Sequence, residues 1–162
     1  MELDKFIQLI LPDLKQRLEK HEGLPVFAQQ RAKFEGWLKV ELCGILLKHF
    51  PDTLPEKGRT DLTAGDWAIE LKTFSTNYRH KGVVNKIRPI TNNIAGVCKD
   101  IEKLRKVSMQ NKMVIFVVFP LDESNNGWLA LLNRIKGMLK EIKSYPFTFS
   151  GNIPGVIYFG LA

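Results

Sequence analysis

Apolar residues recur at Phe6, Ile10, Leu14 and Leu18, a helical spacing across residues 3–20. Pro12 interrupts it, so the pattern predicts two short helices meeting near that proline. Gly23 and Pro25 mark a break, and a helix is predicted from about Val26 to Phe50, with Pro51–Gly58 as a loop. The period then drops to two, which predicts strands over roughly 59–63 and 66–74 with Gly65-Asp66 at the corner of a hairpin. Residues 75–91 are polar and basic without clean periodicity, a long loop or a ragged helix. Asn92–Val107 is amphipathic, with Ile94, Val97, Cys98, Ile101 and Leu104 on one side. Met113–Phe119 is an unbroken β-branched and aromatic run, hence a strand buried on both faces. A turn at Asp122–Gly127, a helix at Trp128–Lys143 and a strand at Gly155–Gly160 complete the chain. This order predicts an α/β fold, a central mixed sheet with helices on its faces.

A chain of 162 residues, 44% hydrophobic, fits one globular domain over residues 1–162. No apolar run approaches the ~20 residues needed to cross a bilayer, so no membrane partner is expected. The opening Met1-Glu2-Leu3-Asp4-Lys5 has no basic segment leading into an apolar one, and no secretory signal is visible. Cys43 and Cys98 stand far apart on apolar helical faces and lack metal-ligand spacing. They read as reduced, buried thiols of a cytoplasmic protein. Charge changes the picture more. Between Arg79 and Lys112 lie nine lysines and arginines against two acids, which accounts for the whole net charge of +7. So local a basic excess is the footprint of a polyanion binder, although a solvated helix face beside a basic loop gives the same count.

The chemistry concentrates in the hairpin. Glu70 and Lys72 are two residues apart on one strand and so point to one face, with Ile69 and Leu71 pointing to the other. The turn folds Asp61 back beside Glu70. Two carboxylates and one ammonium then converge, a constellation able to hold a divalent metal against a phosphate. On the preceding helix Phe34, Trp37, Leu38, Leu42 and Ile45 form an apolar arc with Glu41 in its middle and Glu35 at its edge. A carboxylate on a core-facing stripe needs a partner, which makes Glu41 a candidate fourth member of the site. The plainer alternative pairs it with Arg59 or leaves it reaching water.

Asp61, Glu70-Leu71-Lys72 and a preceding helix bearing Glu41 together resemble the PD-(D/E)XK nuclease superfamily, the restriction-endonuclease-like fold, over roughly residues 34–119. Thr60 stands where that family usually has a proline, and Asp66, a rival first acid, is better explained as a turn residue. The resemblance implies an Mg²⁺- or Mn²⁺-dependent endonuclease. Asp61, Glu70 and the backbone carbonyl of Leu71 would bind the metal. Lys72 would orient or deprotonate the attacking water, and Glu41 would complete the metal's shell. Burial would lower the pKa of Lys72 while the acids raise it.

The segment leaving the site carries Tyr78, Arg79 and Lys81, with Lys86 and Arg88 further on, candidates for gripping phosphates and stacking an unpaired base. Nucleic acid is the expected partner, DNA ahead of RNA. So short a chain lacks an obvious recognition domain, which argues for a homodimer or for partner proteins supplying specificity. Two alternatives stand beside the nuclease, a non-catalytic nucleic-acid-binding module of the same fold and a protein-interaction module in which the motif is coincidental.

Overall fold

The computed structural model describes residues 1–122 and 124–162; residue 123, inside the expected turn at Asp122–Gly127, lies outside them. Helices α1 (Leu3–Lys20), α2 (Leu24–Gln29) and α3 (Glu35–Leu47) precede strands β1 (Leu54–Pro55), β2 (Leu62–Ala64) and β3 (Trp67–Ser75). Then follow α4 (Ile90–Arg105), β4 (Asn111–Phe119), α5 (Asn126–Lys136), β5 (Glu141–Phe149) and β6 (Ile153–Leu161). The strands form one mixed sheet in the order β1-β2-β3-β4-β6-β5. Among the described residues only β3 and β4 run parallel, joined by the crossover through α4; the other pairings are antiparallel. The α/β architecture of a mixed sheet with flanking helices is therefore the observed one. Among the described residues no helix is long and apolar enough to cross a membrane.

The period-two alternation of the central strands divides the core. Ile69, Leu71, Met113, Ile115 and Val117 face α1–α3, and Ala68, Phe74, Val114, Phe116 and Val118 face α4 and α5. In the second layer Trp128 Nε1 donates to the Tyr158 hydroxyl at 2.8 Å, so the buried polar ends of both rings are paired. At Gly155 a Cβ would lie 2.6 Å from the Phe147 ring, so the ring packs over β6 where a side chain would otherwise stand.

Three elements differ from the pattern-based expectation. The first helix runs unbroken through Pro12, because the stripe Leu3, Phe6, Ile7, Ile10, Leu14 and Leu18 stays buried against α3 and β5 on both sides of it. That burial outweighs the one backbone bond the proline removes. The expected helix from Val26 to Phe50 is two, split where Arg31 takes a left-handed φ of 55° and turns its side chain inward. The expected helix end at Lys143 is instead the start of edge strand β5, whose charged first residues hide its alternation and whose Pro146 an edge tolerates. The cysteines are half-buried and free rather than fully buried.

Candidate active site

The β2–β3 hairpin pairs Leu62 with Ile69 and Ala64 with Trp67, a register that places Asp61 opposite Glu70. Gly65 at its corner has φ 55°, open to glycine at no steric cost. Asp66 is a turn residue, accepting from the Asn111 side chain at 2.9 Å. Because β2 ends its pairing at Ile69, β3 has a free edge beyond that point. Two carboxylates cover it. Asp61 Oδ2 accepts the Leu71 N–H at 2.8 Å, and Glu35 Oε1, from the first turn of α3, accepts the Thr73 N–H at 3.1 Å. An extended residue aims its N–H and C=O to the same side, so the Leu71 carbonyl also faces this edge.

Glu70 and Lys72 project to the other layer, beneath α4. Lys103 of α4 places its Nζ 2.7 Å from Glu70 Oε1, although Glu70 is only 3% exposed. Burial pushes the Glu70 carboxyl up to about 7, with Asp61 and Asp100 adding to the shift and Lys103 opposing it. Asp61 goes the other way: burial raises it, but Lys39 of α3, 2.7 Å from Oδ1, and the Leu71 N–H outweigh that and bring it below the usual range. Lys39 also pairs with Glu56. Lys72 runs over Gly96 and ends 3.4 Å from Asp100 Oδ2, one helical turn further along α4. Burial disfavours its ammonium, yet Asp100 and Glu35 prevail and hold its pKa above the ordinary value. Asp100 itself is raised, by burial first, against the pull of Lys72 and Lys103.

The structure thus brings Asp61, Glu70 and Lys72 into one half-buried cluster and does not bring Glu41 to it. Glu41 Oε2 lies 2.5 Å from Arg17 Nη1 of α1, which also donates to the Glu41 carbonyl at 3.3 Å. Six residues at about 100° each turn Glu41 some 120° away from Glu35 around the helix, so the two acids face different neighbours. The partner that Glu41 needs is an arginine of another helix, and the acid that reaches β3 from α3 is Glu35. Asp100 and Lys103, also unanticipated, carry a signal in hindsight: Gly96, Asp100 and Lys103 form a stripe bordering the apolar face of Ile94, Val97, Ile101 and Leu104.

Among the described residues no three His, Cys, Asp or Glu side chains converge as a ready metal cage. Each acid of the cluster is matched to a lysine instead, Asp61 to Lys39, Glu70 to Lys103 and Asp100 to Lys72. The matching is electrostatic more than directional. Glu70 Oε1 and Asp100 Oδ2 are wholly buried, and neither has an aligned hydrogen bond among the described residues. Carboxylate oxygens beside an edge-facing strand carbonyl are the donor type that a hard divalent cation takes, and charge-balancing lysines stand against the carboxylates here.

The basic segment after β3 is an ordered loop. Arg31, 3% exposed, donates to the carbonyls of Val84 at 2.8 Å, Thr76 at 2.6 Å and Tyr78 at 2.9 Å. Asn77 and Arg88 exchange hydrogen bonds of 2.7 and 3.0 Å, and the Arg88 guanidinium reaches the Gln30 carbonyl at 3.2 Å. Arg79, Lys81 and Lys86 remain exposed, while Tyr78 and Arg88 are half-buried. Tyr78 lines a cavity with Lys15, Leu121 and Phe147, over the ends of β5 and β6 rather than over the acids. The cavity that does adjoin the acids, through Lys103, is lined by Lys57, Arg59, Lys106 and Met109. No protein-family model, curated protein or solved structure matches this chain.

Proposed function

We propose that this protein is a divalent-metal-dependent nuclease that hydrolyses phosphodiester bonds, with DNA as its first-choice substrate. The observation that carries the reading is the cluster itself. Asp61 is folded beside Glu70 on a hairpin, and the Lys72 ammonium shares their field from the same strand. Burying so many charges in one place costs stability, and the core does not need them. The order of α3, three antiparallel strands, α4 and a strand parallel to β3 supports the restriction-endonuclease-like assignment.

In this reading Asp61, Glu70 and the Leu71 carbonyl hold Mg²⁺ or Mn²⁺, with Glu35 rather than Glu41 contributing from α3. The metal would polarise the phosphoryl oxygen and lower the pKa of a bound water. The chain's own groups do the rest. Lys72, kept charged by Asp100 and Glu35, offsets negative charge on the phosphate rather than taking a proton. Glu70, with its pKa at about 7, can hold or release a proton near neutrality. Lys39 and Lys103 neutralise the acids until a cation replaces them.

Those same lysines favour a second reading, a nucleic-acid-binding or protein-interaction module of this fold that never takes a metal. Incubating linear and supercoiled DNA with Mg²⁺ or Mn²⁺ separates the two when the native protein is compared with Lys72→Ala. Metal-dependent cutting that disappears in the variant is the expected result. Salt-sensitive binding without cutting by either protein would give the second reading its place.

A further inference from the structure

We propose that the cavity between the β1–β2 connection and the C-terminal end of α4 holds one unpaired nucleotide of a nucleic-acid strand, beside the acid cluster. This deepens the nuclease reading by naming the substrate class, and it rests on that reading only for the chemistry that follows binding. The cavity encloses about 400 Å³, within the size range of small-ligand sites. Lys57 and Arg59 come from one wall, and Lys103 and Lys106 from the other. No acid lines it. Lys103 is already held by Glu70, but Lys57, Arg59 and Lys106 crowd the same hollow, and an anionic occupant relieves their mutual repulsion.

The remaining lining says what kind of anion. Val107 and Met109 supply an apolar wall, and Thr63 and Ser108 supply hydroxyls. A bare phosphate has no use for the apolar wall, and an apolar ligand none for the cations. A nucleotide uses both, its phosphate on the lysines and arginine and its base against Met109 and Val107. A paired base cannot leave its stack to enter such a hollow without the cost of unpairing, so the cavity selects strands that are already single or frayed.

Lys103 connects this cavity to the chemistry, because it is one of the lining residues and its ammonium sits 2.7 Å from Glu70 Oε1. A phosphate entering the cavity competes with Glu70 for Lys103. Occupancy therefore loosens the ion pair that blocks one carboxylate of the cluster, and substrate helps to uncover the site that acts on it.

The test is fluorescence anisotropy in EDTA, where binding is read without cleavage. The probes are a labelled hexathymidylate, a blunt duplex and, as competitor, thymidine 5′-monophosphate. The native protein is compared with Arg59→Gln/Lys106→Gln, with Met109→Ala, and with Lys136→Gln as an exposed-cation control, each checked for an unchanged melting temperature. The expected result is single strand bound at least about tenfold more tightly than duplex, and about tenfold weakened by the double variant but not by the control. Met109→Ala should weaken single strand while leaving duplex unchanged. Equal binding of single strand and duplex, or no loss in the double variant, overturns the proposal. Binding of the monophosphate without binding of the oligonucleotide overturns its assignment to a strand. Absence of cutting in the metal assay, with this pattern of binding intact, would remove the nuclease reading and leave the cavity assignment standing.

Discussion

The cluster on β3 and the loop that follows it are both dense in charge, yet they hold it in opposite ways. Asp61, Glu70, Lys72 and Asp100 are drawn out of water and balanced against one another: burial raises the pKa values of Glu70 and Asp100, while charged partners overcome burial to lower that of Asp61 and raise that of Lys72. Arg79, Lys81 and Lys86 stand in solvent on a loop that buried Arg31 holds from beneath through backbone carbonyls, with the Asn77–Arg88 pair bracing it. The difference bears on inference. A buried charge costs several kcal/mol unless compensated, so a cluster of them calls for a functional explanation, whereas exposed cations cost little and say less. By that measure the acid cluster outweighs the basic loop, although the loop contributes more to the net positive charge.

The sharpest way to break the comparison is at the acids. Asp61→Asn should lower metal-dependent cleavage on the order of 10³-fold. Lys86→Gln should instead act only through affinity, reducing the salt slope of DNA binding by about one unit in the log–log plot. Equal losses in the two variants would put the chemistry outside the cluster. Next in size is Arg31→Ala. It strips three carbonyls of a charged donor and should destabilise the protein by about 3 kcal/mol in a denaturant melt. Amides of residues 76–89 should then exchange faster with solvent.

Glu70 sharpens the comparison through pH. Its folded pKa of about 7 lies above the ordinary 4.5, so between those values the native state holds a proton that the unfolded chain has lost. Stability of the metal-free protein should fall as pH rises across that window, and Glu70→Gln should recover roughly 1–3 kcal/mol at pH 8 and almost nothing at pH 4. A melting temperature indifferent to this substitution at both pH values would mean that the carboxylate is not strained. The smallest effect is expected at Glu41. Paired with Arg17 at a half-exposed position, Glu41→Gln should leave cleavage unchanged and cost less than about 1 kcal/mol.

Much of the fold was legible because strands and hairpins write themselves locally. The alternation of residues 67–75 and the Gly65-Asp66 corner together imply the register that sets Asp61 against Glu70. The unbroken apolar run of β4 announced a strand covered on both faces. Strand β5 was hidden because an edge strand needs no apolar stripe on its outer side, so Glu141 and Lys143 read as a helix end. The break at Arg31 was hidden for a different reason: nothing in the neighbouring residues foretells an arginine turning inward to carbonyls more than forty positions away.

The chain by itself determined that Glu70 and Lys72 share a face and that a turn returns an acid to them. A strand alternates sides with a period of two, so neighbours along it admit only one arrangement. Which charges meet them was decided by tertiary structure. A helix at 100° per residue offers several flanks, and only packing chooses among them. It was the docking of α3 that turned Glu35 to β3 and Glu41 to Arg17, and the docking of α4 that laid Asp100 and Lys103 over Lys72 and Glu70.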